Sequence, residues 1–255
     1  MAIIEYATEG HVAVITINRP DARNAVNGEV ANGIEDAIDR LEADDSLWLG
    51  ILTGVPPVFS AGADLKEINA GRAANLSTAR GGFAGITTRE RTKPLIAAVD
   101  GPALAGGTEI TLSCDLVVAS TSARFGIPEA KRCLVAAGGG LFRLPRKLPF
   151  NVAMEMALTG DPIDAARAHH FGYVNVLCEP GEALAKAKEL AARIEACAPV
   201  SVRESRKAIL AAMTEDEETG WRLSREAMAK AMASSDMKEG LTAFIEKRPP
   251  NWTGK

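Results

Sequence analysis

Along the first two-thirds of the chain the apolar positions follow two rhythms. Residues 11–18 (HVAVITIN) alternate apolar and polar at first and are rich in β-branched side chains, which predicts a strand stopped by Arg19-Pro20-Asp21. Residues 27–43 place Val30, Ile34, Ile38 and Leu41 at the spacing of one helix face. Residues 46–54 (SLWLGILTG) are almost continuously apolar, as a strand covered on both faces must be. Shorter apolar runs at 95–99, 116–119 and 173–178 read as further strands, with helical patterns between them. Such alternation predicts an α/β layer structure. The strand signal ends near Pro180. Residues 181–197, 201–213 and 215–244 are rich in Ala, Glu, Lys and Arg at helical spacing. The expected organisation is a core over residues 1–195 and a helical C-terminal subdomain over residues 196–255, with no tether between them.

Composition narrows the class. Twenty-nine Lys and Arg stand against 33 Asp and Glu in 255 residues, a net charge of −4, which argues against a general nucleic-acid binder. No apolar stretch approaches the ~20 residues that cross a bilayer, so no membrane partner is expected. The opening decapeptide has neither a secretory pattern nor arginine. Four cysteines, Cys114, Cys133, Cys178 and Cys197, form no CxxC pair or zinc-like cluster and read as free thiols of a cytoplasmic protein. His169 and His170 are adjacent on a helical pattern and do not share a face, so no metal site is expected. A Walker A run, a GxGxxG after the first strand and a GxSxG elbow are all missing.

Two small-residue turns remain, Phe59-Ser60-Ala61-Gly62-Ala63-Asp64-Leu65 and Asp100-Gly101-Pro102-Ala103-Leu104-Ala105-Gly106-Gly107-Thr108-Glu109. Each follows a predicted strand and opens a predicted helix. Such turns leave backbone N–H groups aimed outward. Two side by side would make an oxyanion hole for a thioester enolate or a tetrahedral intermediate. Tight packing of strand on helix needs the same small residues, and the pattern alone does not choose. Glu109 and Glu129 are candidate acid and base groups, although a glutamate in a first helical turn is also favoured by the helix dipole.

Together these segments resemble the crotonase family, also called the enoyl-CoA hydratase/isomerase superfamily. The resemblance runs from Ile15-Thr16-Ile17-Asn18-Arg19-Pro20 and Asn24-Ala25, through the two turns, to Phe125-Gly126-Ile127-Pro128-Glu129, Gly138-Gly139-Gly140 and Ala243-Phe244-Ile245-Glu246-Lys247-Arg248. It implies a spiral of ββα units with a helical C-terminal part that makes trimers, often stacked as hexamers. It further implies an acyl-CoA substrate, with coenzyme A as part of that substrate and no separate cofactor. Residue by residue, the Ala63 and Gly106 amides match the oxyanion hole, and Glu109 and Glu129 match the glutamates of the hydratase subgroup. Arg23, Ala25, Ala61, Asp64 and Leu65 match positions that hold coenzyme A, while Phe244 and Lys247 match positions that reach a neighbouring subunit's ligand. The implied activity is hydration of a trans-2-enoyl-CoA in fatty-acid-type degradation. The alternatives are another crotonase reaction, such as carnitinyl-CoA dehydration or double-bond isomerisation, or a non-catalytic acyl-CoA binder. Residues 69–92 match the wall of the acyl pocket, and their Gly, Ala, Ser and Thr predict mobility. Two departures stand out. Ala105 replaces the first of three family glycines, and Ala136-Ala137-Gly138-Gly139-Gly140-Leu141-Phe142-Arg143 replaces a frequent Pro-Gly-x-Gly-Gly-Thr-Gln-Arg. The tail and Leu144-Pro145-Arg146 are similar to carnitinyl-CoA dehydratase-like members.

Overall fold

A computed structural model describes residues 2–255. The chain opens with β1 (Ile4–Glu9), β2 (Val12–Ile17), α1 (Gly28–Ala43) and β3 (Leu49–Gly54). It continues through α2 (Leu65–Asn69), a hairpin of β4 (Ser77–Thr78) and β5 (Gly82–Phe83), and then β6 (Leu95–Val99). Next come β7 (Ala103–Leu104), α3 (Gly106–Ser113), β8 (Leu116–Ser120) and β9 (Arg124–Gly126). The middle of the chain holds α4 (Gly140–Lys147), α5 (Phe150–Thr159), β10 (Ile163–Asp164), α6 (Ala165–His170) and β11 (Val176–Cys178). Four helices finish it: α7 (Ala183–Glu195), α8 (Pro199–Ala212), α9 (Glu217–Ala233) and α10 (Ser235–Glu246).

The large sheet runs β1-β2-β3-β6-β8-β11. Only the β1–β2 pair is antiparallel, and the rest are parallel. Parallel strands need cover on both faces, and the sequence supplies it by alternation. Ile15, Ile17, Leu52, Ala97 and Val99 face the core under α1, where Val30, Ile34 and Ile38 are wholly buried. Leu49, Ile51, Ile96, Ala98 and Val118 face the other way, against α7. The contact stripe of that helix is Ala183, Ala187 and Ala191, small enough to bring it close to the sheet. A second sheet, β10-β9-β7, stands beyond the ends of the first, with β7 parallel to β9.

The expected α/β architecture is present. Residues 4–9 form an edge strand that the reading did not anticipate, and residues 215–244 split into two helices at Ser234, whose ψ of 152° is extended. Within residues 69–92, where mobility is expected, the second half is fastened to the rest of the fold by packing and charge. There Ala84 and Ile86 are buried, and Arg80 and Arg89 pair with Asp39 on α1. Thr88 N donates to Gly81 O at 2.9 Å, and Ala84 N to Leu76 O at 2.9 Å. The glycines and threonines there close turns.

Helix α8 is held by charge. Asp115 accepts from Arg91 at 2.5 Å and from Arg206 of α8 at 2.9 Å. The tail is held by Asp236, which accepts from the amides of Thr253 and Gly254 at 2.7 and 2.9 Å. Large apolar side chains of the last helices remain exposed, including Trp221, Met228, Met232, Leu241, Phe244 and Ile245.

Candidate active site

Adjacent parallel strands β3 and β6 each lead into one of the two small-residue turns. Their pairing continues past the strand ends, since Phe59 N donates to Pro102 O and Leu104 N to Ser60 O, both at 3.0 Å. Within the first turn almost every amide is engaged. Ala61 N donates to Arg23 O at 3.0 Å, Gly62 N to Ser60 Oγ at 3.2 Å, and Asp64 N to Val26 O at 2.9 Å. Ala63 N finds no acceptor among the described residues. Ser60 is therefore a structural hydroxyl, itself donating to Asn24 O at 2.8 Å. Buried Asn24 braces the approach by donating to Val55 O and Val58 O at 2.9 and 2.6 Å.

The second turn delivers Gly106 as the first residue of α3. Its amide also finds no acceptor among the described residues, and it lies at a helix N-terminus, where developing negative charge is favoured. The turns touch at glycine. A Cβ placed on Gly62, whose φ is +85°, would come within 2.6 Å of Gly106 N. One on Gly106 would strike the Phe83 ring at 2.4 Å. Two unused amides are thus brought side by side under an aromatic wall. Ala105, where relatives often carry glycine, sits at φ 53° and ψ −127°, a conformation strained for any L side chain. The bond from its own amide to Gly126 O at 2.8 Å helps hold it there.

Glu109 stands one turn into α3 and is 4% exposed. Burial pushes its carboxyl up from the ordinary carboxylate range, and the charge of nearby Glu129 acts in the same direction. Opposing both are the amides of Gly140, which donates to Glu109 Oε1 at 3.0 Å, and Gly138, together with the Arg143 cation. Glu129 lies in a 3-10 turn, Pro128–Arg132. Burial raises it too, and its Oε2 is buried without a hydrogen-bond partner. The donors thus converge on Glu109 and spare Glu129 Oε2.

Thr108 fixes the two carboxyls relative to each other. Its buried hydroxyl lies 2.7 Å from Ala103 O and 2.8 Å from Gly126 O, and accepts from Gly126 N at 2.9 Å. It therefore ties the start of Glu109's helix to the strand that leads into Glu129. Replacing it with valine deletes the hydroxyl's bonds while Gly126 N keeps its ladder partner, Ala103 O, and should cost about 0.5–1.5 kcal/mol of unfolding free energy in denaturant titrations. Turnover should fall as well. An unfolding curve that overlays wild type would show that the hydroxyl pins nothing.

The other expected positions fall into two groups. Arg23, Ala25, Ala61, Asp64 and Leu65 come together, with Ala61 N on Arg23 O and Arg19 bridging Ala25 O to Asp64, although Ala25 and Asp64 are buried. Arg23 takes left-handed angles (φ 55°), and no partner for its guanidinium is found among the described residues. Leu65 is 53% exposed. Asp64 differs from expectation. Its carboxylate pairs with Arg19 at 2.7 Å and caps α2 through Lys66 N at 2.9 Å, so it shapes the turn from within. Burial works to raise Asp64, but the Arg19 bond and the capping amides outweigh it and hold the carboxyl below its usual range. Phe244 and Lys247, at the end of α10, are exposed, and no hydrogen bond or ion pair joins their side chains to this surface. Sequence reasoning missed Thr108, Ser113 and Arg143. The run Gly138-Gly139-Gly140 was visible as a motif, but its contact with Glu109 was not.

The sequence profile described as enoyl-CoA hydratase/isomerase matches residues 7–255. The chain is 40% identical over 252 residues to enoyl-CoA hydratase EchA19 of Mycobacterium tuberculosis, covering 96% of this chain and 94% of that protein. It is 39% identical over 247 residues to the mevalonyl-coenzyme A hydratase sidH of Aspergillus fumigatus, covering 95% and 91%. A crystal structure of an enoyl-CoA hydratase from Mycobacterium tuberculosis H37Rv superposes with a TM-score of 0.96 at 46% identity, over 100% of both chains. Fold, paired turns and matched length converge: this chain belongs to the enoyl-CoA hydratase/isomerase family.

Proposed function

We propose that this protein adds water across the 2,3 double bond of a trans-2-enoyl-CoA to give a 3-hydroxyacyl-CoA, in fatty-acid-type degradation. The observation that carries the reading is the pair of unused amides, Ala63 and Gly106, meeting at Gly62 beside two buried carboxyls. The thioester oxygen accepts from both amides, and these bonds strengthen as charge grows on it, lowering the barrier more than they tighten ground-state binding. Glu109, ionised, takes a proton from the water as its oxygen bonds to C3. Glu129, protonated, gives its proton to C2 as the double-bond electrons return from the enolate. The carboxyl pair holds one proton before and one after, so the step balances.

Coenzyme A lies across the Arg23–Ala25 loop and the Ala61–Leu65 turn, with the Arg23 guanidinium toward phosphate and Leu65 toward the adenine. The exposed apolar residues of α9 and α10 support a homotrimer, or a hexamer of two trimers, in which Phe244 and Lys247 reach a neighbour's ligand. Among the described residues no helix is long and apolar enough to cross a membrane. Four free cysteines, with Cys133 and Cys197 exposed, support placement in the reducing cytoplasm. The test is loss of enoyl-thioester absorbance over a panel of short, long and branched 2-enoyl-CoA substrates. Hydration of at least one member is expected. A panel that is bound but never hydrated would overturn the reading in favour of a non-catalytic binder.

A further inference from the structure

One half-buried cation lies near Glu109 and has no part in the hydration scheme. Arg143 projects from α4 and is clamped at both ends of its guanidinium. Nη1 donates to Ser113 Oγ at 2.9 Å and Nη2 to Thr87 O at 2.6 Å. Each clamp leads somewhere useful. Ser113 Oγ donates to the Glu109 carbonyl at 2.8 Å, and Thr87, buried, belongs to the fastened segment that carries Phe83 over Gly106. The guanidinium also folds back over the glycine turn that feeds Glu109. A Cβ on Gly139 would meet Nη1 at 2.8 Å, and the next residue, Gly140, gives its amide to Glu109.

We propose that Arg143 is a positioning residue for hydration: through Ser113, Thr87 and the 138–140 turn it locks Glu109 and the aromatic wall into one frame, with its positive charge on the side of that carboxyl. The inference rests on the assignment of Glu109 as the group that takes the water proton. The charged groups around the pair come from several elements. Glu129 faces Glu109 from the 3-10 turn, while Arg91 and Arg146 act on Arg143 from before β6 and from α4. Lys147 also lies within the electrostatic reach of Arg143. Glu109 favours the charged form of Arg143, and Arg143 favours the charged form of Glu109, so each partner holds the other. The Phe142 ring, 5.3 Å from the guanidinium carbon, closes the outer side.

The sign follows directly. Removing the cation raises the Glu109 carboxyl further, so the acid limb of kcat against pH moves to higher pH. For Arg143→Gln the expected shift is smaller than the ~1–3 units lost with a direct ion pair, because the cation is the weakest of the influences on Glu109. Arg143→Lys keeps the charge but not the two-pronged grip. Its limb should stay in place, while KM rises for bulky acyl groups that press on the wall. A packing role alone would lower kcat at every pH and leave the limb where it was.

The same shift is read without turnover by pH-difference infrared spectroscopy of the resting protein, following the protonated-carboxyl band that Glu109→Gln abolishes. Should Arg143→Gln fail to fold, Ser113→Ala frees one end of the clamp and should shift band and limb in the same direction by less. A folded Arg143→Gln whose Glu109 band titrates as in wild type overturns the proposal, as does an unmoved band in Ser113→Ala if Arg143→Gln does not fold. If wild type hydrates no enoyl-CoA, the functional reading fails, and the infrared titration still decides whether the Arg143 charge acts on Glu109.

Discussion

Glu129→Gln is expected to lower kcat for hydration by about 10²–10⁴-fold, the range for a positioned acid or base, while the folded protein becomes no less stable. The two halves of that expectation have separate causes. Glutamine matches the carboxyl in size but has no proton to give C2 at neutral pH. Stability holds because Glu129 Oε2 has no hydrogen-bond partner to lose. Burial raises the Glu129 carboxyl, so the folded state disfavours its charge relative to the unfolded chain. Wild type therefore loses stability as pH rises from the unfolded carboxylate pKa through the raised folded one, and the glutamine variant does not. Unfolding free energies should favour the variant at neutral pH and converge as pH falls through the ordinary carboxylate range. Glu109→Gln should lose comparable activity with a different stability signature. Its side-chain oxygen can still accept from Gly140, but its new NH2 then faces the Gly138 amide, donor against donor. Wild-type turnover in either variant would remove that residue from the mechanism.

Gly62→Ala should be nearly as damaging to activity, by way of the main chain. The new methyl would sit 2.6 Å from Gly106 N, 2.9 Å from the Ala105 Cβ and 3.0 Å from Leu104 O, so backbone must move. Alanine at φ +85° adds strain of about 1–3 kcal/mol. The group displaced is the proposed oxyanion donor, and loss of one such donor costs about 10²–10³ in kcat. Steady-state kinetics and thermal unfolding of the one variant check both effects. A fall in melting temperature with kcat intact would mean that Gly106 N does not serve the thioester oxygen.

Much of this architecture was legible before any coordinates. Strands β2, β3, β6 and β8 announce themselves because they are covered on both faces, which demands apolar runs. Strands β7 and β9, two and three residues long, are too short to carry a period. The break at Ser234 falls inside a helical pattern that has no proline and whose two glycines, Gly220 and Gly240, lie away from it. Residues 77–88 misled by composition. Their glycines and threonines close turns, and the arginines at 80 and 89 find their acids on α1, about 40–50 positions away in the chain. At the site, Glu109, Glu129, Ala63 and Gly106 stand inside motifs with local spacing. The roles of Thr108 and Arg143 exist only through contacts 18 to 56 residues apart, and no window on a single sequence contains them.

The registration of β3 on β6, Leu52 beside Ala97 and Thr53 beside Ala98, has a consequence for how this chemistry diversifies. The proposed carbonyl clamp is built from main chain beyond the ends of two neighbouring strands, so its width is inherited from the spacing of a parallel sheet. Side chains in the pocket can change without altering that width. Binding a thioester oxygen and choosing what happens next to it are therefore separable tasks. The first is carried by the sheet, and the second by two carboxyls that sit on it as exchangeable parts. A chain built this way is free to acquire a new reaction by replacing one residue, with no need to rebuild the fold that activates the substrate.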